Sequence, residues 1–269
     1  MDAFNITGPA AISSPILFSI PHCGTRVPGD ILPEYKAELL PPDDTDWYVD
    51  QLYAFAQEMG ITVISAVYSR WVIDLNRNPD NAPLYHDGRI ITDLCPCTDF
   101  LGRPIYHDER RQVRPEERER RKRLYYNPYH QKLQELLLAT KVKFGKVLLW
   151  DCHSIRRLVP TISPHPFPDL LLGTADGLSA PATIVSAAMD ALSSGEFEVR
   201  QDYLFKGGYI TRHFGQPEQQ QYALQLEMPK ELYMKAGETE YDAARARKVQ
   251  QVLRQTFTAL TTILHASTP

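Results

Sequence analysis

The chain contains no apolar run of about 18 residues, so no transmembrane helix is expected. It also lacks a basic excess: 29 Lys and Arg stand against 33 Asp and Glu, for a formal net charge of -4. A nucleic-acid binder would usually carry the opposite balance. Cysteine is scarce. Cys23, Cys95, Cys97 and Cys152 are too few for a disulfide framework in 269 residues, and they read as reduced thiols. The stretch Met1-Asp2-Ala3-Phe4-Asn5 has neither a basic region nor an apolar one, which argues against a signal peptide. These absences point to a cytoplasmic protein acting on a small molecule, with neither nucleic acid nor membrane as a partner. They leave room for a homo-oligomer.

What is present suits one large core. Hydrophobic residues make up 43% of the chain and charged ones 23%, which is too balanced for wholesale disorder. Pro15-Ile-Leu-Phe-Ser-Ile20 reads as a buried strand that stops at Pro21-His22-Cys23-Gly24. An amphipathic helix is expected from Asp46-Trp47, through Val49, Leu52, Tyr53 and Phe55, to Gly60. Ile61 to Val67 is a strand, and Trp71-Val72-Ile73 suggests a short one. Residues 78–113 form a long Pro- and Asp-rich excursion, of the kind that is often functional. A strong helix starts near Pro115.

Val147-Leu148-Leu149-Trp150 fits a fully buried strand ending at Asp151-Cys152-His153-Ser154. Residues 156–181 form a second Pro-rich excursion. Ala182 to Leu192 and Ala243 to Leu264 are helical, Phe197 to Arg200 is a short strand, and Tyr222 to Met228 alternates as a strand. The simplest architecture is a single α/β domain over 1–269, a mixed central sheet with helices on both faces.

Two histidines occupy equivalent places. His22 and His153 each follow a buried strand, and functional groups gather beyond the carboxyl ends of strands in open α/β sheets. A catalytic zinc takes three protein ligands and keeps one open position. Asp46 is the candidate third ligand, with Asp44 as the alternative and a helix N-cap as the ordinary role for either. Nitrogen and oxygen ligands suit other divalent transition metals as well as zinc.

Glu227 stands among Leu224, Leu226 and Met228, where a carboxylate is costly unless it is partnered or functional. Burial would raise its pKa toward the range of a useful base. The ordinary alternative is a strand-end glutamate facing water. Asn76-Arg77 pairs an amide with a planar guanidinium suited to a carboxylate. Arg70, Arg156 and Arg212 are further cations for a second carboxylate or an oxyanion. Cys23 and Cys152 flank the histidines and keep a cysteine nucleophile conceivable.

Several blocks, in order along most of the chain, resemble the N-formylglutamate amidohydrolase family. They are Ser19-Ile-Pro-His-Cys-Gly-Thr25, Asp44-Thr-Asp-Trp47, Tyr68-Ser-Arg70, Val72-Ile-Asp-Leu-Asn-Arg77 and Pro128-Tyr-His130. Then come Leu149-Trp-Asp-Cys-His-Ser-Ile-Arg156, Phe205-Lys-Gly-Gly-Tyr-Ile-Thr-Arg212, Leu226-Glu227 and Leu232-Tyr-Met234. The family is similar in turn to zinc carboxypeptidases and aspartoacylase. The resemblance implies a sheet of that type, a zinc-bound water, Glu227 as base and Asn76-Arg77 for a substrate carboxylate. It implies hydrolysis of N-formyl-L-glutamate to L-glutamate and formate, a step of histidine degradation. The relatives carry a glutamate ligand soon after the first histidine, where this chain has Gly24-Thr25, so Asp46 is its inferred substitute. Other N-acyl-amino-acid or small-peptide hydrolases share the scaffold, and a binding protein without catalysis is the rival from another class.

Overall fold

The computed structural model describes residues 2–84 and 92–266. Their strands are β1 (Phe4–Thr7), β2 (Ile16–Ile20), β3 (Thr62–Ala66), β4 (Val147–Ile155), β5 (Leu170–Gly173), β6 (Val199–Gln201) and β7 (Gln221–Pro229). Their helices are α1 (Val49–Leu52), α2 (Pro115–Arg121), α3 (Asn127–Phe144), α4 (Ala182–Leu192), α5 (Tyr209–Phe214) and α6 (Ala243–Ala266). Among the described residues the strands form one seven-stranded sheet in the order β1-β3-β2-β4-β7-β5-β6. The central run β3-β2-β4-β7 is parallel, while β1 pairs antiparallel with β3 and β5 antiparallel with β7. This is the mixed sheet expected from the sequence.

The pleat decides which side chains go where. Successive strand residues point to opposite faces. Leu148, Trp150 and Cys152 of β4, with Leu224, Leu226 and Met228 of β7, pack into the core covered by α4 and α6. Val147, Leu149 and Ala223 pack into the opposite core, against Tyr129, Leu133 and Leu137 of α3 and Ile210 and Phe214 of α5. Every residue of β2, β4 and β7 is buried. Helices on both faces explain why these strands read as continuous apolar runs.

Several boundaries differ from the sequence reading. β4 does not stop at Trp150 but runs nine residues to Ile155, so His153 lies inside the strand. Its pairing with β7 continues through Ile155↔Pro229, and that ladder outweighs the polar side chains. The expected helix from Asp46 to Gly60 reduces to α1 and a 3-10 turn at Ala54–Ala56. Trp71-Val72-Ile73 forms turns with no strand. β5 was hidden in the second Pro-rich excursion, and β1 and α5 were too short to show a period. α2 passes into α3 through a π-helical turn at Lys122–Tyr126.

Candidate metal centre

Period 2 along β4 and β7 builds the site. Asp151 and His153 are two apart and share the face of Leu149, while Gln225 and Glu227 share the face of Ala223. The parallel register sets Asp151 opposite Gln225 and His153 opposite Glu227. All four therefore face the same side, beyond the part of the sheet that α3 and α5 cover. β2 is shorter and ends at Ile20, so His22 sits in the turn beyond it. Gly24 makes that turn possible: a Cβ there would lie 2.3 Å from the Tyr68 carbonyl oxygen. The Asp46 N–H donates to the His22 carbonyl at 3.0 Å and draws the Asp44–Asp46 loop against the turn.

The two imidazole rings lie 4.9 Å apart. His22, Asp46 and His153 are all buried, and each offers a ligand atom within 4.8 Å of the others. Both rings are held from behind. His22 Nε2 donates to Asp74 Oδ1 at 2.7 Å, and His153 Nε2 donates to Asp151 Oδ2 at 2.9 Å. Each Nδ1 then faces Asp46, at 3.7 Å from His22 and 3.1 Å from His153. The arrangement of carboxylate behind imidazole is the one that fixes the tautomer of metal-ligating histidines.

Among the described residues, the buried atoms that make no hydrogen bond include three in this cluster: His22 Nδ1, Asp151 Oδ1 and Glu227 Oε1. An unsatisfied buried polar group costs about 1–3 kcal/mol, and a bound ligand removes that cost. The charges lean the same way. Burial favours the neutral form of Asp46, but hydrogen bonds from both imidazoles outweigh it and hold the carboxyl below its ordinary range. Burial likewise disfavours the charged form of Asp74; Arg70, Arg77 and His22 reverse this. Burial lowers the His153 pKa, and Asp151 and Asp46 outweigh it and raise it well above the usual value. A cluster that stabilises positive charge on an imidazole between two carboxylates is one that attracts a cation. The donor set fits a divalent metal ion.

At Glu227 the balance falls the other way. Burial, reinforced by Asp46 and Asp151 against the opposing pull of His153 and Arg70, pushes it up to about 8.

The cluster opens into a cavity of about 90 Å³. Glu227, Arg70, Arg77, Asn76, Gln225 and Ser154 line it. Leu84, Thr92 and Phe100 reach it from the first Pro-rich excursion and Ile162 from the second. Residues 85–91 of the first excursion lie outside the described residues. Arg70 is buried, with Nη2 donating to Asp74 Oδ2 at 2.7 Å and its guanidinium 4.5 Å from the Phe100 ring centroid. Arg77 donates to the Thr92 carbonyl at 3.2 Å.

The remaining candidates fall elsewhere. Arg156 does not line this cavity; it is exposed and pairs with Asp43. Arg212 is also outside it, on α5, donating to the Gly207 carbonyl at 2.9 Å. Arg156 directly follows β4 and Arg212 lies within α5, and both side chains are taken by other partners. Asp44 is not in the cluster, because its carboxylate accepts from Trp71 Nε1 at 3.0 Å and from the Phe100 N–H at 3.1 Å. Cys23 and Cys152 both have thiols raised well above the usual pKa by burial and nearby aspartates, which disfavours a thiolate nucleophile.

Asp74, Asp151 and Gln225 were not singled out from the sequence, although each carried a signal. Asp151 and Gln225 stand two positions before His153 and Glu227, on the same face. Asp74 is an acid placed directly after Trp71-Val72-Ile73.

Residues 14–234 match the N-formylglutamate amidohydrolase family. The chain belongs to that family. It is 40% identical to an N-formylglutamate deformylase of Pseudomonas aeruginosa over 251 residues, 91% of this chain and 92% of the relative. It is 39% identical to one of Pseudomonas putida, with the same coverage. Among solved structures, the N-formylglutamate amidohydrolase from Ralstonia eutropha superposes with a TM-score of 0.78 at 27% identity, covering 99% of this chain and 98% of that one. A gene product of Agrobacterium tumefaciens shares the fold at 18% identity, with a TM-score of 0.72 and coverage of 98% and 96%.

Proposed function

We propose that this chain hydrolyses the formyl amide of N-formyl-L-glutamate, giving L-glutamate and formate, with a divalent metal ion, zinc first among them, held by His22, Asp46 and His153. The observation that carries the reading is the convergence of two imidazole Nδ1 atoms and one carboxylate beside a buried, unpartnered glutamate. The names and coverage of the relatives supply the substrate.

A metal ion bound there supplies Lewis acidity toward water and the formyl oxygen. The residues of the chain do the rest. Asp74 and Asp151 keep the Nε2 protons of His22 and His153, so both Nδ1 lone pairs stay available. With a cation in the cluster favouring its ionised form, Glu227 takes a proton from the attacking water and delivers it to the departing amine nitrogen as the C–N bond breaks. Arg70 and Arg77 bring positive charge to the cavity wall for a substrate carboxylate or the developing oxyanion. Phe100 and Ile162 add apolar surface to the cavity wall.

The setting we propose is histidine degradation in the cytoplasm. Cys23, Cys95, Cys97 and Cys152 are all free thiols, which suits a reducing compartment.

Purified protein should release formate from N-formylglutamate, lose that activity to a strong chelator and regain it with zinc. Glu227→Gln should lower kcat by about 10²–10⁴-fold while metal content stays normal. An unchanged rate in that variant would remove Glu227 from the mechanism. Acetyl and succinyl analogues should be turned over more slowly than the formyl compound, and equal rates would broaden the substrate class.

A further inference from the structure

Asn76 stands where three parts of the cavity wall meet. Its Oδ1 accepts the Ile210 N–H at 2.7 Å, at the start of α5. Its Nδ2 lies 2.9 Å from both Asp151 Oδ2 and His153 Nε2. Because His153 Nε2 carries the proton it gives to Asp151, the Asn76 amide also donates to Asp151 Oδ2. That single oxygen collects both donors, while Asp151 Oδ1 makes no hydrogen bond. Among the described residues, Asn76 and His153 are therefore the side chains that hold the Asp151 carboxylate.

Packing keeps the amide where it is. A Cβ at Gly208 would lie 2.4 Å from Asn76 Nδ2 and 2.5 Å from its Oδ1. Gly208 has φ −78° and ψ −168°, which any residue adopts, so the glycine is required for room and not for backbone freedom. The Gly208 N–H donates to Gln225 Oε1 at 2.7 Å, tying this wall to β7.

We propose that Asn76 is a positioning residue for metal binding. It holds Asp151 behind His153 so that His153 Nδ1 faces Asp46. The inference rests on the metal-hydrolase reading above and is separate from the role that the Asn-Arg pairing in the sequence suggested. Partners that orient a ligating imidazole are worth about 10–100-fold in metal affinity.

The test is a zinc titration of the full-length protein in competition with a chromophoric chelator, for wild type, Asn76→Asp and Gly208→Ala. Asn76→Asp keeps the shape and the acceptor for Ile210 but sets an oxygen against Asp151. Gly208→Ala changes no polar group and only displaces the amide. The expected result is a zinc dissociation constant raised about 10–100-fold by Asn76→Asp, and in the same direction by Gly208→Ala. Wild-type zinc affinity in Asn76→Asp would overturn the proposal. If Asn76→Asp fails to fold by circular dichroism, Gly208→Ala decides on the same readout. A wild-type protein that binds no zinc overturns the metal reading itself, which the comparison between variants does not.

Discussion

An imidazole ligates a metal through whichever nitrogen its other hydrogen bond leaves free. In this chain both choices are made by aspartates: Asp74, remote in sequence, for His22, and Asp151, two residues away on the same face of β4, for His153. Burial, with Asp46 and Asp151 nearby, keeps Glu227 protonated at neutral pH in the absence of an ion. An acid whose folded pKa lies above its unfolded value binds its proton more tightly when folded. The stability this contributes is fully present below the ordinary value of 4.5 and is lost as pH rises through about 8. Metal-free wild type should therefore lose stability relative to metal-free Glu227→Gln between about pH 5 and pH 8. Urea unfolding of both proteins at the two pH values measures it. Parallel pH profiles would show that Glu227 is not held as a buried neutral acid.

At the scale of elements, the core behind the site is built from aromatic contacts between α6 and the sheet. Phe257 on α6 is fully buried, with its ring centroid 4.5 Å from that of Phe18 in β2 and 5.0 Å from that of Trp150 in β4. It also approaches Phe55 at 6.1 Å in the turn after α1. One side chain thus joins both histidine-bearing strands to the segment that follows Asp46. Phe257→Ala should cost about 3–5 kcal/mol, the range for emptying a large buried aromatic site. A denaturation midpoint that falls with an unchanged m-value would register this as lost stability. A loss below about 1 kcal/mol would mean that the neighbouring rings close over the gap.

At the scale of the whole molecule, the three candidate ligands come from three places in the chain: the turn after β2, the loop before α1, and β4. An ion that binds all three is bound only by the folded state, so binding is coupled to global stability. Zinc at about one hundred times its dissociation constant should add roughly 2.7 kcal/mol. For a chain of this size that is a rise of about 5–10 °C in Tm. Thermal unfolding with and without a chelator measures it. A Tm indifferent to zinc would mean that the cluster does not close on an ion.

The central strands, the long helices and the two histidines were legible in the sequence, because their signals are local, although β4 runs past His153. Apolar runs, a 3.6 period and a polar residue set directly after a strand all lie within a few positions of one another. The pairing of His153 with Glu227 was not legible, since register between β4 and β7 is set by packing on both faces of the sheet. Nor could sequence separate Asp46 from Asp44, two residues apart. Trp71 and the Phe100 N–H, both remote in the chain, take Asp44, and the hydrogen bond from Asp46 N–H to His22 brings Asp46 inward. The same holds for the arginines: Arg70 and Arg77 face the cavity while Arg156 and Arg212 find partners elsewhere. The sequence by itself determined which residue types and which strand ends were available for chemistry. Only the tertiary structure decided which of them meet, because a meeting across the sheet depends on long-range pairing that no local pattern encodes.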